Sequence, residues 1–302
     1  MMAMQRVTLV SGIELDIVDE GPRDGPALIF LHGFPESHRT WRHQIAHLSD
    51  RYRCIAPDQR GYRGSSKPQD VASYTPEKLI GDVFQLADAL GIERFTIIGH
   101  DWGGAIAWGV ALTGQMSGRV ARAVIANAPH PVGFTRLVWE NRNQRQASQY
   151  FRAFRDTANN PIVRELGLGG FLAKVFEGRF GSDDPMEPEE RAQLMRDYEN
   201  RDAAFAMLNW YRASPLYVPE MDEPYALPAE RAPLPLPPLT MPTLVLWALD
   251  DLALLPENLD GLETMVTDMT LVRVRNCGHF VPWEAPAVVN AALDVFLGRT
   301  PA

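Results

Sequence analysis

The sequence predicts an α/β fold, a mostly parallel sheet with helices on both faces, interrupted by an inserted helical segment and then completed. Three observations predict it. Short apolar runs that end at turn residues alternate with longer amphipathic patterns through residues 1–127. The alternation stops between residues 128 and 240, where strand-like runs vanish, and it resumes over 241–302. Strand–helix–strand repeats build parallel βαβ units with right-handed crossovers. The expected organisation is therefore a core in two pieces, 1–127 and 241–302, with 128–240 as a helical cap.

Taken in order, residues 6–10 and 13–20 read as an antiparallel hairpin at the sheet edge. Residues 27–31, 53–57, 95–99 and 120–126 are apolar without alternation, the pattern of strands covered on both faces. Between them, residues 41–48, 76–90 and 103–112 repeat apolar side chains at three- and four-residue spacing, as amphipathic helices do. In the inserted segment Arg, Gln and aromatic residues dominate and the helical periods are irregular. It closes on Pro224, Pro228, Pro233, Pro235, Pro237, Pro238 and Pro242. So many prolines exclude helix and central strand and predict an extended surface path. Residues 243–247 and 270–274 resume the strand pattern, and 288–297 reads as a closing helix.

Composition narrows the function. Lys and Arg number 29 against 38 Asp and Glu, a net charge of −9, with 46% hydrophobic and 22% charged residues. These proportions exclude disordered and fibrous classes. The negative field disfavours nucleic acid and anionic membranes as partners, both of which need clustered cations. The start has no signal-peptide pattern and no apolar run reaches about 18 residues, so a cytoplasmic protein is expected. Cys54 and Cys277 are too few for a disulfide framework, and with the dispersed histidines they show no metal-ligand spacing. No cofactor is expected, and the chain is read as a monomer or homodimer.

The most informative stretch is Ile97-Ile98-Gly99-His100-Asp101-Trp102-Gly103-Gly104, where a strand ends and a helix begins. Glycines on both sides permit the sharp turn of a nucleophile elbow, with Asp101 where a serine often stands. A carboxylate attacks carbon directly to give an alkyl ester, and it needs no base to deprotonate it first. The helix N-terminus favours its charged form. His32-Gly33-Phe34-Pro35 follows the 27–31 strand and forms a tight loop. Its Phe34 N–H is expected to pair with the Trp102 N–H as an oxyanion hole. Asn276-Cys277-Gly278-His279-Phe280 places His279 on a loop at a strand's C-terminal end, where α/β sites gather. Asp251 follows the 243–247 strand in the same way, with the adjoining Asp250 as the rival for its role. His279 would activate water and the acid would hold its tautomer.

Across nearly the whole chain the sequence resembles the α/β-hydrolase epoxide hydrolases. The resemblance rests on His32-Gly33-Phe34-Pro35, Pro57-Asp58-Gln59-Arg60-Gly61-Tyr62, Gly99-His100-Asp101-Trp102-Gly103-Gly104 and Cys277-Gly278-His279, in that order. It implies an α/β-hydrolase core, a helical lid and two lid tyrosines that hydrogen-bond the epoxide oxygen. Leu208-Asn209-Trp210-Tyr211-Arg212 looks like the segment of the second tyrosine, making it Tyr211. Ser148-Gln149-Tyr150-Phe151 offers Tyr150 as the first. The interval between them is shorter than in the mammalian soluble enzymes. A tyrosine suits the task on chemical grounds, since with a pKa near about 10 it donates without ionising at neutral pH. Phe34, Phe154 and Trp210 are expected to line a pocket for a small, apolar, uncharged epoxide, with water as the second reactant.

Two other functions stay open at this level. Haloalkane dehalogenases share an Asp nucleophile and the following Trp, but their second halide donor is commonly an Asn where this chain has Phe34. Fluoroacetate-type dehalogenases have Arg where Trp102 stands. A catalytically silent binding module of the same fold is the alternative from another class. The stretch Gly61-Tyr62-Arg63-Gly64-Ser65-Ser66 lacks a phosphate-loop lysine and reads as a plain loop. The acidic run from Asp183 to Glu190, followed by Arg191, Arg196 and Arg201, reads as a solvated helix face with ion pairs.

Overall fold

A computed structural model describes residues 4–177 and 186–299. The first half of the chain contributes β1 (Met4–Thr8), β2 (Glu14–Glu20), β3 (Ala27–Leu31), α1 (Arg42–Leu48), β4 (Arg53–Pro57), α2 (Pro76–Ala89), β5 (Phe95–His100), α3 (Asp101–Ser117) and β6 (Val120–Ala126). Six helices follow: α4 (Pro131–Glu140), α5 (Arg142–Ala147), α6 (Tyr150–Arg155), α7 (Asn160–Val175), α8 (Pro188–Tyr198) and α9 (Arg201–Ala213). The chain then returns as β7 (Thr243–Ala248), β8 (Met269–Val274), α10 (Val281–Glu284) and α11 (Pro286–Leu297). The eight strands form one sheet in the order β1-β2-β4-β3-β5-β6-β7-β8. Only the β1–β2 and β2–β4 pairs are antiparallel, the parallel pairs running from β4 to β8.

The unalternated apolar runs have their explanation in this layering. Every residue of β3 and β4 is buried. Successive side chains of a strand point to opposite faces. Leu28 and Phe30 therefore pack with Ile45 and Leu48 of α1 and Leu293 and Phe296 of α11. Ile29 and Leu31 pack on the other face with Val83 and Leu86 of α2 and Ile106 and Val110 of α3. Each such side chain contributes about 1.5–3 kcal/mol by leaving water, which fixes the register.

Boundaries moved where local bonds decide them. The first strand is Met4–Thr8 instead of 6–10, because Leu9 N–H already bonds Ile13 O at 2.7 Å and closes the hairpin. The third core helix starts at Asp101, two residues before the expected 103, and runs to Ser117. Between residues 214 and 242 the chain has no helix or strand beyond a short 3₁₀ turn at Ala229–Arg231, and residues 229–238 are largely exposed. Leu239 then turns inward, buried, and bridges to Val266.

Arg145 of α5 ties this region together. It is fully buried, and its guanidinium donates to the carbonyls of Val138, Trp139, Glu220, Glu223 and Pro224. Those bonds fasten the end of α4 to the segment after α9, with Tyr225 stacked 3.8 Å from the guanidinium carbon. The acidic run differs from expectation. Asp183 and Asp184 lie outside the described residues, but Glu187 and Glu190 reach across to Arg42 and Arg39 beside α1. Asp197 of α8 likewise stands 3.5 Å from Arg63. These acids bind α8 to the core and are not a merely solvated face. Among the described residues no helix is long and apolar enough to cross a membrane.

Candidate active site

β5 passes directly into α3, and the first residue of α3, Asp101, sits at φ +51°. Left-handed backbone costs a non-glycine residue about 1 kcal/mol or more and is held only where the surroundings over-determine it. Two glycines supply that constraint. A Cβ on Gly103 would stand 2.3 Å from Leu31 O, so only glycine lets α3 approach β3 so closely. A Cβ on Gly33 would stand 2.5 Å from Asp101 Cβ, so the 32–35 loop lies directly on the carboxylate.

That loop donates the Phe34 N–H to Asp101 Oδ1 at 2.7 Å. Its other end is fixed by His32, whose Nε2 accepts the Gln59 N–H at 3.1 Å while Nδ1 faces Gly33 O at 2.9 Å. This pattern requires the neutral Nδ1–H tautomer, and burial accordingly pushes the His32 pKa down to about 4. The Trp102 N–H lies in the first turn of α3, where backbone donors have no intrahelical acceptor. Among the described hydrogen bonds it does not reach the resting carboxylate.

His279 joins the two acids. Its Nδ1 lies 2.7 Å from Asp251 Oδ2 and its Nε2 3.4 Å from Asp101 Oδ2. Geometry separates the adjoining aspartates, since Asp250 is exposed and Asp251 is buried. Asp251 Oδ1 accepts the Ala253 and Leu254 N–H groups at 2.8 and 2.9 Å, and Oδ2 accepts Asn127 Nδ2 at 2.8 Å. Burial opposes ionisation of Asp251, but the His279 charge and hydrogen bond, with those backbone donors, hold its carboxyl below the usual range. Asp101 follows the same logic, with burial outweighed by His279, His100 and the Phe34 N–H. For His279 burial favours the neutral ring, yet the two carboxylates raise its pKa well above the ordinary value. Both carboxylates therefore favour the protonated form of the His279 ring in the resting site.

The aromatic residues expected from the sequence converge on this triad. Tyr211 of α9 is buried, its ring centroid 5.1 Å from those of Phe34 and Trp102 and 4.8 Å from those of Phe151 and Phe154. The ring of Tyr150, first residue of α6, lies 6.1 Å from it. Burial first, then the Asp101 charge, lifts the Tyr150 hydroxyl well above the ordinary range; for Tyr211 burial, Tyr150 and Asp101 do so. Both therefore stay protonated and both feel the Asp101 carboxylate. Trp210 is buried against Tyr62 and Trp102, and its Nε1–H donates to Arg60 O at 2.9 Å, tying α9 to the core.

Comparison with known proteins gives the family. The α/β hydrolase fold family matches residues 26–286. A solved structure, described among novel epoxide hydrolases of the α/β hydrolases superfamily in metagenomes from hot environments, is 65% identical; the match covers 99% of this chain and 100% of that one, with TM-score 0.96. The chain belongs to the α/β-hydrolase epoxide hydrolases. A Bacillus megaterium epoxide hydrolase variant, complexed with its naphthyloxy-propanediol product, is 29% identical over 98% of this chain and 100% of its own, with TM-score 0.85. Epoxide hydrolase 2 of Caenorhabditis elegans is 28% identical over 96% of this chain and 79% of its own length.

Within this epoxide hydrolase two site residues escape sequence reasoning. Asn127, at φ +39° just after β6, accepts the Ala248 N–H at 2.8 Å and donates to Asp251, so it couples β7 to the triad acid. Its one sequence signal is an Asn directly after a strand, a residue that tolerates left-handed backbone. Glu36, next to the 32–35 loop, accepts Trp283 Nε1–H at 2.7 Å and the Thr40 hydroxyl at 2.8 Å, and lies 3.8 Å from His100 Nδ1. Burial pushes its pKa up to about 7. Nothing in its local sequence marks it.

Proposed function

We propose that this epoxide hydrolase forms its vicinal diol through a covalent ester on Asp101. The observation that carries the reading is the division of labour on that carboxylate. Oδ1 is occupied by the Phe34 N–H, while Oδ2 stands 3.4 Å from His279 Nε2 and is the oxygen that attacks. In the first step Oδ2 bonds to an epoxide carbon, the carbon–oxygen bond of the ring breaks, and the electron pair leaves on oxygen. Tyr150 and Tyr211 hold that oxygen and supply its proton. Phe34 and Phe154, packed on Tyr211, line the place of a small apolar epoxide without offering it a charge, while Trp210, expected to line it too, donates to Arg60 O and backs Trp102.

The second step follows from the charge change. Esterification removes the negative charge on Asp101, one of the two anions that raise the His279 pKa. The imidazolium then yields its proton more readily, which makes good the proton the tyrosines gave to the epoxide oxygen, and the neutral ring becomes a base at the moment a base is needed. His279 takes a proton from water, which attacks the Asp101 carbonyl carbon. The oxyanion forms at Oδ1 against the Phe34 N–H, with the first-turn N–H of Trp102 as the second donor. Asp251, fixed by Asn127 and two backbone N–H groups, stabilises the imidazolium. Collapse breaks the ester bond between the carbonyl carbon and the substrate oxygen, and His279 returns its proton to that oxygen as the diol leaves. An oxygen from water stays in Asp101, whose remaining proton passes to His279 to restore the carboxylate.

A single turnover in heavy-oxygen water tests this route. The label is expected in the Asp101 carboxylate, with little in the first diol. Label wholly in the diol would mean that water attacks the epoxide directly. Halide release assayed beside diol formation separates this reading from dehalogenation, for which Phe34 supplies no side-chain halide donor.

A further inference from the structure

The side-chain ties of His279 are matched by a second set on its backbone. Glu284, the last residue of α10, folds its carboxylate back over the one-turn helix. Its Oε2 accepts the Gly278 N–H at 2.6 Å and its Oε1 accepts the Phe280 N–H at 2.9 Å. The two donors flank His279 in the chain, so one carboxylate spans the histidine. The approach is close, since a Cβ at position 278 would stand 3.0 Å from Oε2 and the carboxylate would have to give way by a few tenths of an ångström. The carbonyl between those donors is also held: His279 O lies 2.8 Å from His100 Nε2. His100 directly precedes Asp101, so the backbone of the base is tied to the strand that carries the nucleophile.

We propose that Glu284 is a positioning residue for ester hydrolysis, its two-oxygen grip on Gly278 and Phe280 setting where the His279 imidazole stands over the Asp101 ester. The inference rests on the ester reading above. Positioning of this kind bears unequally on the two chemical steps. Asp101 attacks the epoxide from a position set by its own elbow and the Phe34 N–H, neither of which involves Glu284, and His279 bears on that step only through the charge that favours the Asp101 carboxylate. Water activation depends on His279 alone, and displacing a base by about 1 Å can cost about a hundredfold. Charge-assisted bonds to backbone N–H groups are the strong kind, which suits a fixed clamp.

Glu284→Gln is the sharpest variant, because it keeps size while the amide –NH₂ must face a donor N–H, losing one of the two bonds. Rapid-quench measurement of ester formation and ester decay in one turnover reads the two steps separately. The expected result is decay slowed about tenfold or more with formation within about threefold of wild type, so that ester accumulates, and a changed pH profile for decay. Both rates unchanged, or both lowered by the same factor, would overturn the proposal, since a merely structural residue lowers active-site integrity for both. If Glu284→Gln fails to fold, Glu284→Asp, which keeps the charge but is too short to span both donors, is judged by the same criterion. Absence of ester in the wild-type control would overturn the ester reading itself and is thereby distinguishable.

Discussion

Replacing Tyr211 by Phe removes one oxygen from a ring held on several sides. Phe34, Trp102, Phe151 and Phe154 stand with centroids 4.8–5.1 Å from it, ring packing that survives the loss of the hydroxyl, and what goes with the oxygen is its hydrogen bond from the Trp102 side chain. The fold should therefore keep its stability to within about 1 kcal/mol. The chemical cost falls elsewhere. Losing one preorganised donor to a developing oxyanion typically costs about 100- to 1,000-fold, or about 3–4 kcal/mol. Tyr150 remains, so the single variant should sit near the lower figure, and Tyr150→Phe with Tyr211→Phe beyond the upper. Stopped-flow tryptophan fluorescence can follow the first step, because Trp102 packs on Tyr211. Ester formation should slow and ester decay should stay near wild type, since the ring oxygen has already left. A loss of less than about threefold in ester formation, or a loss confined to decay, would refute the assignment of the tyrosines.

Acid should unfold the protein through its buried histidines. Burial holds His32, His100 and His130 near a pKa of about 4, so the folded state refuses protons that the unfolded chain accepts below about 6.5. Their contribution is complete above pH 6.5 and falls as the pH drops toward 4, by about 2 kcal/mol per histidine between pH 7 and 5. Glu36, with its pKa raised to about 7, acts in the opposite sense over that interval by about 2 kcal/mol, and His279, with its pKa raised well above the ordinary value, adds to it, leaving a net loss of about 2–3 kcal/mol. Urea unfolding at the two pH values measures it, and equal stabilities would contradict the burial argument. Separately, Arg145→Met should cost about 3 kcal/mol, because five carbonyls, those of Val138 and Trp139 buried, lose their donor at once. A thermal melt within a few degrees of wild type would show that water replaces the guanidinium.

The parts of the site legible in the sequence are those where backbone geometry restricts residue type. Gly33 and Gly103 had to be glycine because Asp101 and Leu31 crowd them, and those crowded turns are what made the elbow and the loop recognisable. The choice between Asp250 and Asp251 was not legible, since both follow β7 and only the direction of the side chain distinguishes them. Partners far apart in sequence were equally hidden. Asn127 meets Asp251 across 124 positions, and Glu190 meets Arg39 across 151. In the latter case the sequence shows a charge but not the arginine that neutralises it, which is why α8 read as a solvated face. Helix and strand ends shifted for the same reason: a single bond such as Leu9 to Ile13 closes a turn that propensity cannot locate.

The central claim is that Asp101 carries the substrate as an ester that only a working His279 can release. His279→Gln removes the base while keeping the size of the ring's surroundings, so ester should accumulate when the variant is mixed with an excess of a small apolar epoxide. Mass spectrometry of the intact protein should show one added substrate mass per chain, and fragmentation should place it on Asp101. An unmodified chain, with the epoxide still consumed, or an adduct on any residue other than Asp101, would contradict the account.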